Sequence, residues 1–130
     1  IIATENGDIN IIKLLIEKGI NVNAKGGNGR TALITASEKG YTEIVKILIS
    51  NKANIETRDN SGFSAYMTAI LNGNISIVLI LKKNGAVLTR NDKKKIASSI
   101  NIRKTTEKII NSGKEKIKKL FDEIVKEGSK

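Results

Sequence analysis

Apolar residues gather in short runs that are too broad for a single helical stripe: Ile11, Ile12, Leu14, Leu15 and Ile16 in one place, Ile44, Val45, Ile47, Leu48 and Ile49 in another. Each run predicts a short helix buried on two sides, which needs a neighbour on either flank. Before the second run, and again further on, a shorter helix is expected to stop at Gly40 and at Gly73, since glycine takes the left-handed conformation that ends a helix without a Cβ clash. Thr42 and Ser76 follow closely and are expected to cap the next helix through their hydroxyls. The polar stretches Lys25-Gly26-Gly27-Asn28-Gly29 and Arg58-Asp59-Asn60-Ser61-Gly62 carry turn residues in bulk and predict tight reversals.

These elements recur. At an offset of 33, Gly7, Gly40 and Gly73 fall in step, as do Ala3, Ala36 and Ala69, then Ile11, Ile44 and Ile77, then Leu15, Leu48 and Leu81, with no gap required. A fixed period of this length is the mark of a stacked array in which no unit folds alone and stability is shared between nearest neighbours. Three units are visible, the first of them truncated.

The residues Gly29-Arg30-Thr31-Ala32-Leu33-Ile34-Thr35-Ala36 resemble the G-x-T-P-L-H-x-A run of the ankyrin repeat family. The likeness continues through Gly40-Tyr41-Thr42-Glu43-Ile44-Val45-Lys46-Ile47-Leu48-Ile49 and through Gly19-Ile20-Asn21-Val22-Asn23, and it covers residues 1 to about 92. It implies an all-α solenoid of helix-turn-helix repeats with short hairpin-like connectors. The expected divisions are a truncated first repeat at 1–25, a second at 26–58, a third at 59–91, a degenerate fourth at 92–111 and a capping helix at 112–130, together one domain.

The departures from that pattern carry their own expectations. Ala32 and Ala65 replace the family's helix-starting proline, and Ile34 and Met67 replace its histidine, so the hydrogen bonds that histidine gives the turns are lost and looser turns are expected. Lys52 stands where the other units have Gly19 and Gly85; a left-handed backbone there costs a side chain on the order of 1 kcal/mol. In the third unit Lys82 replaces Ile49, as if a neighbour no longer covered that position.

Past Asp92 the period decays, although Ala97, Ile102, Ile109 and Ile110 still follow Ala65, Ile70, Ile77 and Val78 at an offset of 32. Ser112 and Glu115 have capping-box spacing, and Ile117, Leu120, Phe121, Ile124 and Val125 then form one apolar face on a helix ending near Gly128. Such one-sidedness suits the terminal unit of a solenoid; the same face could instead dock on a second chain.

Composition narrows the chemistry. Of 130 residues, 39% are apolar and four are aromatic, enough for a helical core but thin for a ring-lined pocket. The absence of cysteine and histidine removes disulfides, thiol nucleophiles, zinc sites and the commonest general base. Glu38 with Glu43 and Asp122 with Glu123 are surface pairs without a convergent partner, and Gly26-Gly27-Asn28-Gly29 lacks the spacing of a phosphate loop. Neither an enzyme nor a cofactor or metal is expected. No apolar stretch approaches the roughly 20 residues that cross a bilayer. The chain opens at Ile1 without an initiator methionine or a leader pattern, so an upstream segment is expected and nothing is read about secretion; cytoplasm, its own or a host's, is the expected setting.

Charge is uneven. Lys plus Arg at 23 against Asp plus Glu at 13 gives +10, of which residues 1–92 hold +3 (11 against 8) and residues 93–130 hold +7 (12 against 5). The lysine groups at 93–95 and 114–119 are read either as a solvated face or as a footprint for nucleic acid or an anionic membrane. Interleaved acids and the lack of stacking rings favour the first reading, and an excess of Ile, Lys and Asn resembles the bias of an AT-rich genome.

The resemblance further implies recognition of another protein at the reversal tips and along the exposed side of the first helices; the net charge of +10 favours an acidic surface on it, and a monomer is expected. By position these sites are Lys25, Gly27, Asn28, Arg30, Glu38 and Lys39 in one unit and Arg58, Asn60, Ser61, Phe63, Leu71 and Asn72 in the next, with Asn91, Lys93 and Lys94 continuing the row. Phe63 is expected either in contact with a partner or folded onto Arg30 or Lys95, and Leu71 as a scattered exposed residue. Tyr41 is expected to cover the core, with Tyr66 and Met67 inside it.

Overall fold

A computed structural model describes residues 4, 7–99 and 115–128. Helices α1 (Ile9–Glu17), α3 (Thr42–Ser50) and α5 (Ile75–Lys83) begin 33 residues apart, with α2 (Ala32–Lys39) and α4 (Ala65–Leu71) as the shorter partners of α3 and α5. The remaining two are α6 (Arg90–Ser99) and α7 (Glu115–Gly128). The contacts divide the chain into two units, Ile1–Ala86 and Val87–Lys130.

In the first unit the short helices stack on each other, α2 on α4, and the longer ones form a second layer, α1 on α3 on α5. Ile11, Ile44 and Ile77 each sit at the third position of their helix. Their burial differs with place in the stack. Ile44 and Ile77 are 1% exposed while Ile11, on the first described of the three longer helices, is 47% exposed, and Leu14 beside it is 51% exposed. Between the layers lie Leu33, Ile34, Ala36, Leu48, Tyr66, Met67, Ile70 and Leu81, all buried. Lys82, in the place of half-buried Ile49, is exposed.

The short helices start where a hydroxyl accepts from a free backbone N–H: Thr31 Oγ1 from Ile34 at 3.3 Å and Ser64 Oγ from Met67 at 3.2 Å. Of the longer helices, α1 is capped by Asp8, whose carboxylate accepts from Ile11 N at 3.0 Å, but α3 and α5 do not start as expected. Tyr41 and Asn74 occupy the N-cap positions of α3 and α5 without a side-chain cap bond, and Thr42 and Ser76 lie inside the helices. The cause is the tight turn before them, in which Thr42 N donates to Gly40 O and Ile75 N to Gly73 O, both at 3.0 Å. That turn starts the helix before either hydroxyl could cap it. Gly40 and Gly73 take the left-handed backbone expected of them, at φ 78° and 66°.

Lys52 lies at φ 68°, in the same left-handed region as Gly19 at 84° and Gly85 at 95°. Replacing it removes a Cβ penalty that the other two units avoid. Lys52→Gly is expected to stabilise the protein by about 1 kcal/mol, seen as a higher urea midpoint; an unchanged or lower midpoint would show that the left-handed turn carries no strain.

In the second unit α6 and α7 pack against each other. Ile96, Ile117, Leu120, Phe121 and Ile124 are buried, so the apolar face of α7 is already covered within the chain; Val125, expected on that face, is 38% exposed. A capping box starts α6: Asp92 N donates to Thr89 Oγ1 and Thr89 N to an Asp92 carboxylate oxygen, each at 3.0 Å. The helix therefore runs through the stretch that the 33-residue register assigns to a reversal, and Ala97, aligned with the first residue of α4, stands near its end. Ser112, the expected capping partner of Glu115, and Ile102, Ile109 and Ile110 lie outside the described residues.

Candidate functional site

The two reversals of the first unit share a pair of backbone bonds, Asp59 N to Phe63 O at 2.9 Å and Gly62 N to Asp59 O at 3.0 Å matching a pair in the first, but differ in their side-chain bonds. Residues 26–30 are held by backbone bonds, Gly26 N to Arg30 O at 2.8 Å, Gly29 N to Gly26 O at 3.1 Å and Arg30 N to Gly27 O at 3.3 Å. Asn28 and Gly29 take left-handed backbone at φ 62° and 72° to make that possible. In residues 58–64 a carboxylate organises the turn: Asp59 Oδ1 accepts from Ser61 N and Phe63 N, both at 2.9 Å. Arg58 closes it by donating to Gly62 O at 3.0 Å while lying 3.5 Å from Met67 Sδ, and Arg58 and Ser64 form an antiparallel bridge. Asp59 and Arg58 thus give this turn side-chain bonds of its own.

A single backbone bond joins the two reversals, Asn60 N to Asn28 O at 2.8 Å. The approach is close enough that any side chain at Gly29 would run into the Asn60 amide. The tips of consecutive reversals thus form a continuous strip. Lys25, Gly27, Asn28, Asn60 and Ser61 are exposed along it, with Lys39 and Asn72 exposed at the ends of α2 and α4.

Other expected contact residues are engaged within the fold. Arg30 is half-buried and its Nη1 lies 2.9 Å from a Glu38 carboxylate oxygen. Asn72 Nδ2 donates to Thr68 O at 2.8 Å. Phe63 and Leu71 are half-buried, so Leu71 is not the exposed residue expected, and the Phe63 ring is partly covered and partly open to solvent. Asn91 and Lys93 lie on α6 and not on a turn, a correction that follows from the Thr89–Asp92 capping box. Lys93 Nζ sits 3.8 Å from a Glu123 carboxylate oxygen, and Arg90 Nε is 3.1 Å from Glu127. Lys94 is exposed.

Several asparagines that pattern reasoning passed over fix the strip's geometry. Asn74 Nδ2 reaches back one unit and donates to Ser37 O at 2.7 Å and Glu38 O at 3.1 Å, at the end of α2. Its counterpart Tyr41 lies with its ring over Gly7, where a Cβ would come within 3.0 Å of the ring. Asn23 Oδ1 accepts from Asn54 N of the next unit at 2.7 Å. Repetition at a 33-residue spacing was the signal available for the Tyr41–Asn74 pair, since both follow the loop glycine.

Among the described residues no group of acidic, cysteine or histidine side chains is arranged to hold a metal ion, and no helix is long and apolar enough to cross a membrane. A family model described as ankyrin repeats, in three copies, matches residues 1–92. No curated protein matches the chain.

Proposed function

Because the chain belongs to the ankyrin repeat family, whose repeats generally mediate protein–protein interaction, we propose that it is a non-catalytic scaffold that binds an acidic surface of another protein through its reversal tips and first helices. The observation that carries the reading is the backbone bond between Asn60 and Asn28. It ties neighbouring tips into one strip before any partner arrives, so that little backbone remains to be ordered on docking. Lys25 and Lys39 supply exposed positive charge along that strip.

Phe63 is the strongest candidate for a binding anchor. Rings at interface centres commonly carry about 2 kcal/mol or more, so Phe63→Ala is expected to weaken capture by roughly 30-fold. As the ring is half-buried, a second variant separates contact from folding. Lys25→Glu with Lys39→Glu is expected to weaken capture of the same partner at an unchanged unfolding midpoint, measured by titration against partners isolated by affinity capture. Loss of capture only in step with a falling midpoint would remove the contact strip from the argument.

A basic footprint for nucleic acid or an anionic membrane is the alternative, and the ion pairs of the second unit speak against it. Residues 115–128 hold four lysines and four acids, and Arg90 and Lys93 each face a glutamate. Phosphate-driven binding would fall steeply between about 50 and 200 mM salt, whereas capture anchored on Phe63 with two strip lysines should fall much less steeply.

A further inference from the structure

Three asparagine–glycine pairs fall within the described residues, Asn28-Gly29, Asn72-Gly73 and Asn84-Gly85; a fourth begins at Asn6, outside them. A glycine after asparagine leaves the backbone nitrogen uncrowded, so that nitrogen can attack the side-chain amide carbon. The structure separates the three pairs. Asn72 Nδ2 and Asn84 Nδ2 each donate to a helix carbonyl, Thr68 O and Ile80 O, at 2.8 Å. Those bonds hold the amides against the ends of α4 and α5, away from the following nitrogen. Asn28 has no such bond among the described residues, is exposed, and stands at a reversal tip with left-handed backbone at φ 62°. Among the described residues its turn is closed by backbone bonds alone, where the next turn adds bonds from Asp59 and Arg58 to the same backbone pair. Such a turn opens locally at low cost.

We propose that Asn28 is a site of spontaneous modification by cyclisation and hydrolysis, poised to change the charge of the strip. When the turn opens, the bond from Gly29 N to Gly26 O is released and Gly29 N bonds to Asn28 Cγ. The Cγ–Nδ2 bond breaks, and ammonia leaves with the proton from Gly29. Water then opens the cyclic imide at one of its two carbonyls, giving aspartate or isoaspartate. Either product places a carboxylate between Lys25 and Arg30. Isoaspartate also lengthens the backbone by one methylene just where Asn28 O accepts from Asn60 N. The chemistry needs only the turn; its effect on recognition rests on the proposed contact strip.

The test uses the full chain held in mildly alkaline buffer, digested with trypsin and analysed by mass spectrometry. The three pairs separate into peptides 26–30, 59–82 and 84–90. Peptide 26–30 is expected to gain the mass of an amide-to-acid change several-fold faster than the other two, with the three rates converging in urea. Asn28→Gly, which suits the left-handed backbone, should abolish the gain in that peptide. Equal rates in the folded chain, or faster change at Asn72 or Asn84, would overturn the assignment, as would an unmodified 26–30 peptide in the folded chain when the urea sample converts. Because the readout is mass and not capture, failure of the contact strip would leave this result standing.

Discussion

Ile44→Ala lowers the stability of the Ile1–Ala86 unit by about 2–5 kcal/mol, while Ile11→Ala costs about 1 kcal/mol. Both residues hold the third position of a longer helix, so helix propensity and local sequence are closely matched. What differs is burial. Ile44 is 1% exposed on α3, which packs on both α1 and α5, and its truncation leaves a cavity that cannot collapse fully; Ile11 is 47% exposed and leaves little to refill. Ile77→Ala, at 1% exposure, should behave like Ile44→Ala. Urea unfolding of the full chain followed by far-UV circular dichroism measures all three. Equal losses at Ile11 and Ile44 would mean that stacking is not what stabilises these helices, and the nearest-neighbour account of the array would fail with it.

The same comparison shows what pattern reading reaches. A 33-residue register located five helices, the left-handed glycines and the left-handed Lys52, because each depends on a single residue's conformational freedom or on apolar spacing. It did not reach the second-helix starts. Thr42 and Ser76 have the right chemistry for caps, but the bonds from Thr42 N to Gly40 O and from Ile75 N to Gly73 O begin each helix ahead of them. Local propensity was overridden by a three-residue turn that has no strong sequence signature.

The strip of reversal tips was readable in part. Its members follow from register, yet the bonds that fix it come from asparagines whose side chains serve positions in another unit: Asn23 to Asn54 and Asn74 to α2. Such pairings depend on the distance between stacked units, which no single window of sequence contains. Asp59 could have been read as a turn former from its spacing to Ser61 and Phe63. At Asn91 and Lys93 the register itself misled, placing a turn where the helix runs. Thr89 and Asp92 have capping-box spacing, and that local signal overrides a decaying period.

In the second unit Phe121→Ala is expected to cost about 3–5 kcal/mol, against under about 1 kcal/mol for Val125→Ala. Phe121 is among the largest fully buried side chains, while Val125 on the same helix is 38% exposed. The alternative source of stability is ionic. Arg90 with Glu127 and Lys93 with Glu123 also link α6 to α7, but Arg90 and Glu123 are largely exposed, and solvent screens such pairs to about 0–1 kcal/mol. Burial should therefore dominate. Hydrogen exchange read on peptides from 90–99 and 115–128 distinguishes the two sources: Phe121→Ala should abolish protection in both helices at any salt concentration, and Glu127→Gln should leave it nearly intact. If Glu127→Gln removes protection as fully as Phe121→Ala, the pair of helices is held by charge, and the apolar face of α7 does not explain its fold.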